Sequence, residues 1–268
     1  MDHPPGPFRC MMFGYILLMM VSRIRSAYAW LLLACIVLPL FPVAYLLGKV
    51  PERLDPRRDR LRRLVAAWVS IYPWTSPLYR FQLEGLDHLP AQGSYVLVAN
   101  HESGLDVLTL LMLRTPARFL ADEWMFNAPW AGWFMRLCRH IPVRAGDSES
   151  GHQALDEGIK ALAGGSPIAI FPEGTYSTDV LGEFKPGAFV AAKQTAAPIV
   201  PVLLEGTGAA WAPGTVVVHG RHFIRIAVQE PITTDVVQSS SVDSLTKQAR
   251  AKLMAARQAI RKPHPRDS

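Results

Sequence analysis

"YVLVANHESGLD" (residues 95–106) begins with five apolar or β-branched positions and turns abruptly polar, placing a histidine, a glutamate and an aspartate within seven residues. A short apolar run of this kind is the mark of a strand buried on both faces, as a parallel sheet requires. The pattern recurs. "IAIF" (168–171) runs into "PEGTYS", "IVPVLL" (199–204) runs into "EGTG", and residues 215–219 form a fourth β-branched candidate. Helix-length amphipathic segments lie between these runs. The alternation predicts an α/β domain over residues 65–268, with a mixed, largely parallel sheet flanked by helices.

Two of the predicted helices are well marked. In "SESGHQALDEGIKALAGG" the residues Leu155, Ile159 and Leu162 share one face, and Gly164 and Gly165 supply the stop. Near the carboxyl end Leu245, Ala249, Leu253, Ala256 and Ile260 form another face, with Ser240 and Asp243 as the expected capping box. Trp68 and Trp74 suit either a core or a membrane interface.

Residues 1–64 read differently, as an N-terminal membrane-associated helical segment with a basic flank. Residues 27–48 ("AYAWLLLACIVLPLFPVAYLLG") contain no charge over 22 positions, which matches the roughly 20 residues needed to cross a bilayer. A shorter apolar stretch, residues 10–22, precedes it, and "PERLDPRRDRLRR" follows with six arginines against three acids, a composition suited to an anionic surface. Pro39 and Pro42 leave two forms open, a single bent span or two short helices entering one leaflet. Two blander readings compete. "AYA" at residues 27–29 mimics a signal cleavage site, but Arg23 and Arg25 interrupt the approach to it. A buried core helix is the other, and the uninterrupted length argues against it.

Composition narrows the classes further. With 268 residues and half of them hydrophobic, the chain can bury a full core. Cys10, Cys35 and Cys138 are three and widely spaced, so they form neither a disulfide framework nor a metal knuckle, and a reducing compartment fits them. The formal charge of +6 favours an anionic partner. Because the basic cluster adjoins the apolar segment, a membrane surface suits it and a nucleic acid does not.

Three of the strand candidates end in polar loops, and in a parallel sheet such loops gather on one edge, where α/β proteins bind ligands. His101 followed five residues later by Asp106 proves nothing by spacing, since 8 histidines and 12 aspartates supply such a pair by chance about 0.4 times. The two side chains meet only if His101 lies in the turn and Asp106 in the first helical turns, with Asn100 and Ser103 as caps. An imidazole held by a carboxylate in this way has a fixed tautomer and a stabilised protonated form, as a general base requires. A capped loop with a surface histidine is the alternative. Glu173, in the turn after "IAIF", is expected at the same edge, with the cations Lys185 and Arg144 placed to hold an anionic, hydroxylated ligand between them. A serine hydrolase is excluded for want of a GxSxG elbow.

Taken together, these stretches resemble the lysophosphatidic acid acyltransferase family, the 1-acyl-sn-glycerol-3-phosphate O-acyltransferases and related glycerolipid acyltransferases. "NHESGLD" is similar to its NHx4D motif, "FPEGTYS" to FPEGTRS, "IVPV" to its proline-containing last motif, and the region ending in "IPVR" to its second motif, all four in the family's order between residues 95 and 202. The resemblance implies acyl transfer from acyl-CoA or acyl carrier protein to a lysophospholipid hydroxyl, with neither metal nor bound cofactor. His101 would act as the base and Asp106 would orient it. Asn100, Arg144, Glu173, Gly174, Thr175, Tyr176 and Lys185 would bind substrate, on a membrane-associated enzyme whose catalytic domain faces the cytoplasm. Tyr176 stands where the family commonly carries arginine, and Ala121 where many members carry lysine. These departures leave the acceptor head group open, with a lyso-aminolipid or a non-catalytic lipid-binding scaffold as the other readings and with Lys185, Arg144 and Arg118 as the remaining cations.

Overall fold

A computed structural model describes residues 7–129, 131–177, 180–212, 215, 217–218 and 220–261, with side chains described from residue 19 onward. Its seven strands are β1 (Tyr79–Glu84), β2 (Val96–Ala99), β3 (Arg118–Asp122), β4 (Ile141–Val143), β5 (Ile168–Ile170), β6 (Ile199–Glu205) and β7 (His222–Val228). They form one sheet in the order β1-β7-β6-β2-β5-β3-β4. Every neighbouring pair is parallel except β6 with β7. The carboxyl ends of β2, β3, β4, β5 and β6 therefore share one edge of the sheet, as expected.

The centre of the sheet is apolar on both sides. Val96 and Val98 face one core with Ile168, Ile199 and Phe189, while Tyr95, Leu97 and Ala99 face another with Val200, Val202 and Leu204. Alternation along the strand creates this division, since successive side chains leave on opposite faces. The helices Ser148–Ala163, Gly187–Thr195 and Val242–Arg261 cover the first face. On the last of these Leu245 and Leu253 are fully buried, each contributing roughly 1.5–3 kcal/mol by transfer from water. Its cap differs from the expected one. The Ser244 amide donates to the Ser241 hydroxyl at 3.2 Å, while Asp243 pairs with Lys247.

Some of the sheet was not anticipated. The described residues of the fourth candidate, 215, 217 and 218, are not strand, and β7 instead follows at "HFIRIAV". There Ile224 and Ile226 are buried while Phe223 points outward, so the strand has period two, masked in the sequence by Arg225 and by an exposed aromatic residue. Strand β1, "YRFQLE", shows the same alternation at the sheet's edge.

At the amino end the two apolar stretches expected to be separate join into one helix, Pro7–Val37, which runs through Arg23 and Arg25. It breaks at Leu38 and Pro39, and a second helix, Leu40–Gly48, follows with Pro42 in its first turn, where the missing N–H costs nothing. Met19–Gly48 is long and apolar enough to cross a membrane by length and composition. One side of the pair docks: Ala29, Leu32 and Leu33 pack on Tyr72 and Tyr79, and Leu40 and Ala44 on Leu61 and Val69. Leu31, Leu38, Tyr45 and Leu46 are exposed. Trp68 belongs to the interior, its indole donating to the Ile36 carbonyl at 2.8 Å, whereas Trp74 is exposed. Two arginines of the basic run also serve the fold. Arg62 is buried against the Pro116 and Cys138 carbonyls, and Arg58 donates to the Val50 carbonyl at 3.1 Å.

Candidate active site

The loop after β2 is organised around one oxygen. Asp106, in the first turn of the helix Leu105–Leu111, is fully buried, and its Oδ2 accepts from the amides of Glu102 at 2.6 Å and Ser103 at 2.8 Å. The same oxygen lies 2.8 Å from Nδ1 of His101. Since Oδ2 is an acceptor for both amides, Nδ1 is the nitrogen that donates, which leaves the lone pair on Nε2. The expected meeting of His101 and Asp106 therefore holds in the structure. The expected caps hold only in part: the Ser103 hydroxyl accepts from the Leu105 amide at 3.1 Å and donates to the Trp211 carbonyl at 2.6 Å. Asn100 does something else. Its side chain donates to the Leu204 carbonyl and accepts from the Leu204 amide, both at 2.8 Å, which ties the end of β2 to β6 in the buried wall.

The turn after β5 closes on this loop. Glu173 is buried and accepts from two amides, that of His101 at 2.9 Å through Oε1 and that of Gly182 at 2.7 Å through Oε2. The Ser177 amide donates to the His101 carbonyl at 2.7 Å. Phe171 stacks on the imidazole with ring centroids 3.9 Å apart, and Tyr176 lies tilted at 4.3 Å on it. Burial, then the charges of Asp106 and Asp122, raise the pKa of the Tyr176 phenol. Gly174 has φ +67, a left-handed conformation that favours glycine, and the exposed Lys185 amine lies 2.5 Å from where a Cβ would stand. Thr175 is exposed on this turn, and the exposed Lys185, ten residues further on, meets the turn through its amide, which donates to the Pro172 carbonyl at 2.9 Å.

Not every candidate converges. Arg144 follows β4, three strand positions from β2, or about 14 Å at the usual strand spacing. It is exposed and held by Glu123 at 2.8 Å and Asp147 at 3.1 Å. Arg118 begins β3 and so lies at the opposite edge of the sheet, where Arg139, Asp59 and Glu157 are the charges acting on it. A cavity of about 400 Å³ lined by Trp74, Leu83, Met112 and Arg63 also opens at that far edge, remote from His101.

Two features escaped the sequence reading. Asp122, at the end of β3, acts on the Tyr176 phenol, and its position at a strand's carboxyl end was the available signal. Glu102 is buried and paired with Arg257 of the last helix, which no local motif announces. Among the described residues, no group of three or more His, Cys, Asp or Glu side chains is placed to hold a metal ion.

Comparison with known proteins places this geometry in context. Residues 80–205 match the family model described as Acyltransferase. The chain is 34% identical over 204 residues to the chloroplastic 1-acyl-sn-glycerol-3-phosphate acyltransferase LPAT1 of Arabidopsis thaliana, covering 74% of this chain and 55% of that protein. It is 34% identical over 202 residues to BAT2, the chloroplastic counterpart of Brassica napus, covering 73% and 57%. The chain thus spans a little over half the length of these curated relatives. The crystal structure of the 1-acyl-sn-glycerophosphate acyltransferase PlsC from Thermotoga maritima superposes with a TM-score of 0.74 at 21% identity, covering 91% of this chain and 98% of that one, and shares the fold.

Proposed function

From the premise that the chain belongs to the acyltransferase family, we propose that it moves a fatty acyl group from an acyl thioester to the free hydroxyl of a lysophospholipid, foremost 1-acyl-glycerol-3-phosphate. One observation carries the reading: His101 is braced by Asp106 on the sheet edge that also bears the Glu173 turn. Nε2 of His101 takes the proton as the acceptor oxygen attacks the thioester carbonyl. Collapse of the adduct forms the ester and expels the thiol, which receives that proton. A thioester is already activated, so holding the two substrates in line supplies much of the acceleration and no acyl-enzyme is required. The donor is acyl-CoA or acyl carrier protein.

Membrane lipid is the proposed partner, met through the exposed side of the amino-terminal helix pair, with the catalytic domain on the cytoplasmic side. The apolar stretch Met19–Gly48 and its exposed Leu31, Tyr45 and Leu46 support it.

A second acceptor class is favoured by Tyr176 and Ala121, which stand in place of cations, and by Asp122 close to Tyr176. A lyso-aminolipid head would meet carboxylate and phenol there instead of guanidinium. Purified protein supplied with acyl donor and a panel of lysolipids separates the two by thiol release. His101→Ala tests the base assignment: turnover is expected to vanish in a folded protein, and turnover retained at the wild-type rate would reject His101 as the base, whereas lysolipid binding without thiol release by the wild type would reject the enzyme in favour of a lipid-binding scaffold.

A further inference from the structure

Arg257 lies beyond the residues that the family model matches and beyond every motif in the sequence, yet it reaches the loop that holds His101. Glu102 follows His101 directly, and its carboxylate, 4% exposed, accepts from Nη2 of Arg257 through Oε1. Its Oε2 lies 3.4 Å from the Thr207 hydroxyl. Arg257, 8% exposed, also sends Nε to Glu205 at 2.8 Å, so one guanidinium bridges the catalytic loop and the end of β6. Arg261 meets the other oxygen of Glu205 at 2.7 Å from a position that is half exposed.

The direction of this bridge matters more than its strength. Well-packed apolar residues hold a fold about as well as a buried ion pair does, so stability alone does not account for a guanidinium here. What an ion pair adds is geometry, because a planar fork engages two carboxylates in one orientation. The backbone that Glu102 fixes is the same backbone whose amide sits 2.6 Å from Oδ2 of Asp106, the oxygen that orients the imidazole.

We propose that Arg257 is a positioning residue for acyl transfer: through Glu102 it fixes the loop whose amides hold Asp106 and, through Asp106, the His101 imidazole. This rests on the assignment of His101 as general base. The charged groups facing Glu102 are Arg257 from the last helix, Glu205 from the end of β6 and Asp106 from its own loop. Burial pushes the Glu102 carboxyl up to about 7, Arg257 opposes that rise, and Glu205 and Asp106 add to it. Without Arg257 the ion pair is gone at every pH and the carboxyl takes up a proton at higher pH, so the remaining contact of Glu102 with the Thr207 hydroxyl changes there as well.

The full chain in detergent or lipid, assayed by thiol release across pH, provides the test. Arg257→Met is expected to lower kcat at least tenfold with KM for both substrates changed less than about threefold. Its acid limb should move to higher pH, a shift that Glu102→Gln/Arg257→Met does not show. The double variant should match the worse single variant, since the two act as a unit. Arg257→Lys, which reaches only one carboxylate, should recover part of kcat, and Arg261→Met should keep all of it. Should Arg257→Met fold poorly, Glu102→Gln carries the same test with a smaller disturbance. Wild-type kcat per folded molecule in Arg257→Met or Glu102→Gln, multiplicative losses in the double variant, or an equal loss in Arg261→Met would each overturn the proposal. Full turnover in His101→Ala would instead remove the base assignment and this proposal with it.

Discussion

Oδ2 of Asp106 meets Nδ1 of His101 at 2.8 Å and at the same time accepts the two amides that follow His101 in the chain. The carboxylate thus fixes both the ring and the backbone that presents it. Asp106→Asn can keep one oxygen in this position but loses the charge that stabilises a protonated imidazole, and it places an amide where Oδ1 now has no partner. A loss in kcat on the order of 10³-fold is expected, with KM little changed, because the interaction strengthens in the transition state. Steady-state kinetics on both substrates checks this, and a loss under tenfold would show that His101 works without its brace.

Tyr176 touches the imidazole at 4.3 Å from a residue 43% exposed, so it can face acceptor and base together. Tyr176→Arg restores a cation beside the acceptor and is expected to lower KM for 1-acyl-glycerol-3-phosphate roughly three- to tenfold through a charge-assisted bond. Tyr176→Phe keeps the ring contact and should leave kcat within about twofold. A KM that rises in Tyr176→Arg, together with better turnover of a lyso-aminolipid by the wild type, would move the acceptor to the second class.

The strands ending at Ala99, Ile170 and Glu205 were legible to within one residue because strands buried on both faces read as unbroken apolar runs. The spacing of His101 and Asp106 did not by itself announce their pairing; it became legible only through the resemblance of "NHESGLD" to the family's NHx4D motif. Strands β1 and β7 were not, since their outward residues, such as Arg80 and Arg225, break the run that the eye follows. Arg144 and Arg118 show what local pattern leaves open. Both follow or begin apolar runs, but a cation's place along the chain does not tell at which edge or how many strands away it will stand. The join between Glu102 and Arg257 crosses 155 positions and has no local pattern at all.

Glu173 was expected to hold the acceptor, yet its two oxygens are engaged by the amides of His101 and Gly182. Glu173→Gln leaves one of these buried N–H groups facing an amide, which costs about 1–3 kcal/mol. Urea unfolding should show that loss. Activity should fall as well, because the same turn sets Phe171 and Tyr176 against the imidazole. Wild-type stability combined with a raised acceptor KM would instead make Glu173 a direct ligand of the acceptor.

His140 gives the fold a pH dependence of definite sign. It keeps some exposed surface by area, but the protein around its ring is dense, and the Phe119 amide donates to Nδ1 at 3.0 Å, a bond that needs the neutral ring. Burial, then the charges of Arg62 and Arg118, lower its pKa to about 3. Between pH 6.5 and that value the unfolded chain binds a proton that the folded one refuses, so stability falls as pH falls, by up to about 1.4 kcal/mol per unit. The Glu102 carboxyl acts in the opposite sense, since its raised pKa lets the folded state take a proton first between about 7 and 4.5. Both effects are present in the wild type, but His140→Asn removes only the first while its amide oxygen still accepts from Phe119. From pH 7.5 to 5 the wild type should therefore lose about 2 kcal/mol more than His140→Asn in chemical denaturation. Equal losses would mean that His140 titrates as it does in the unfolded chain.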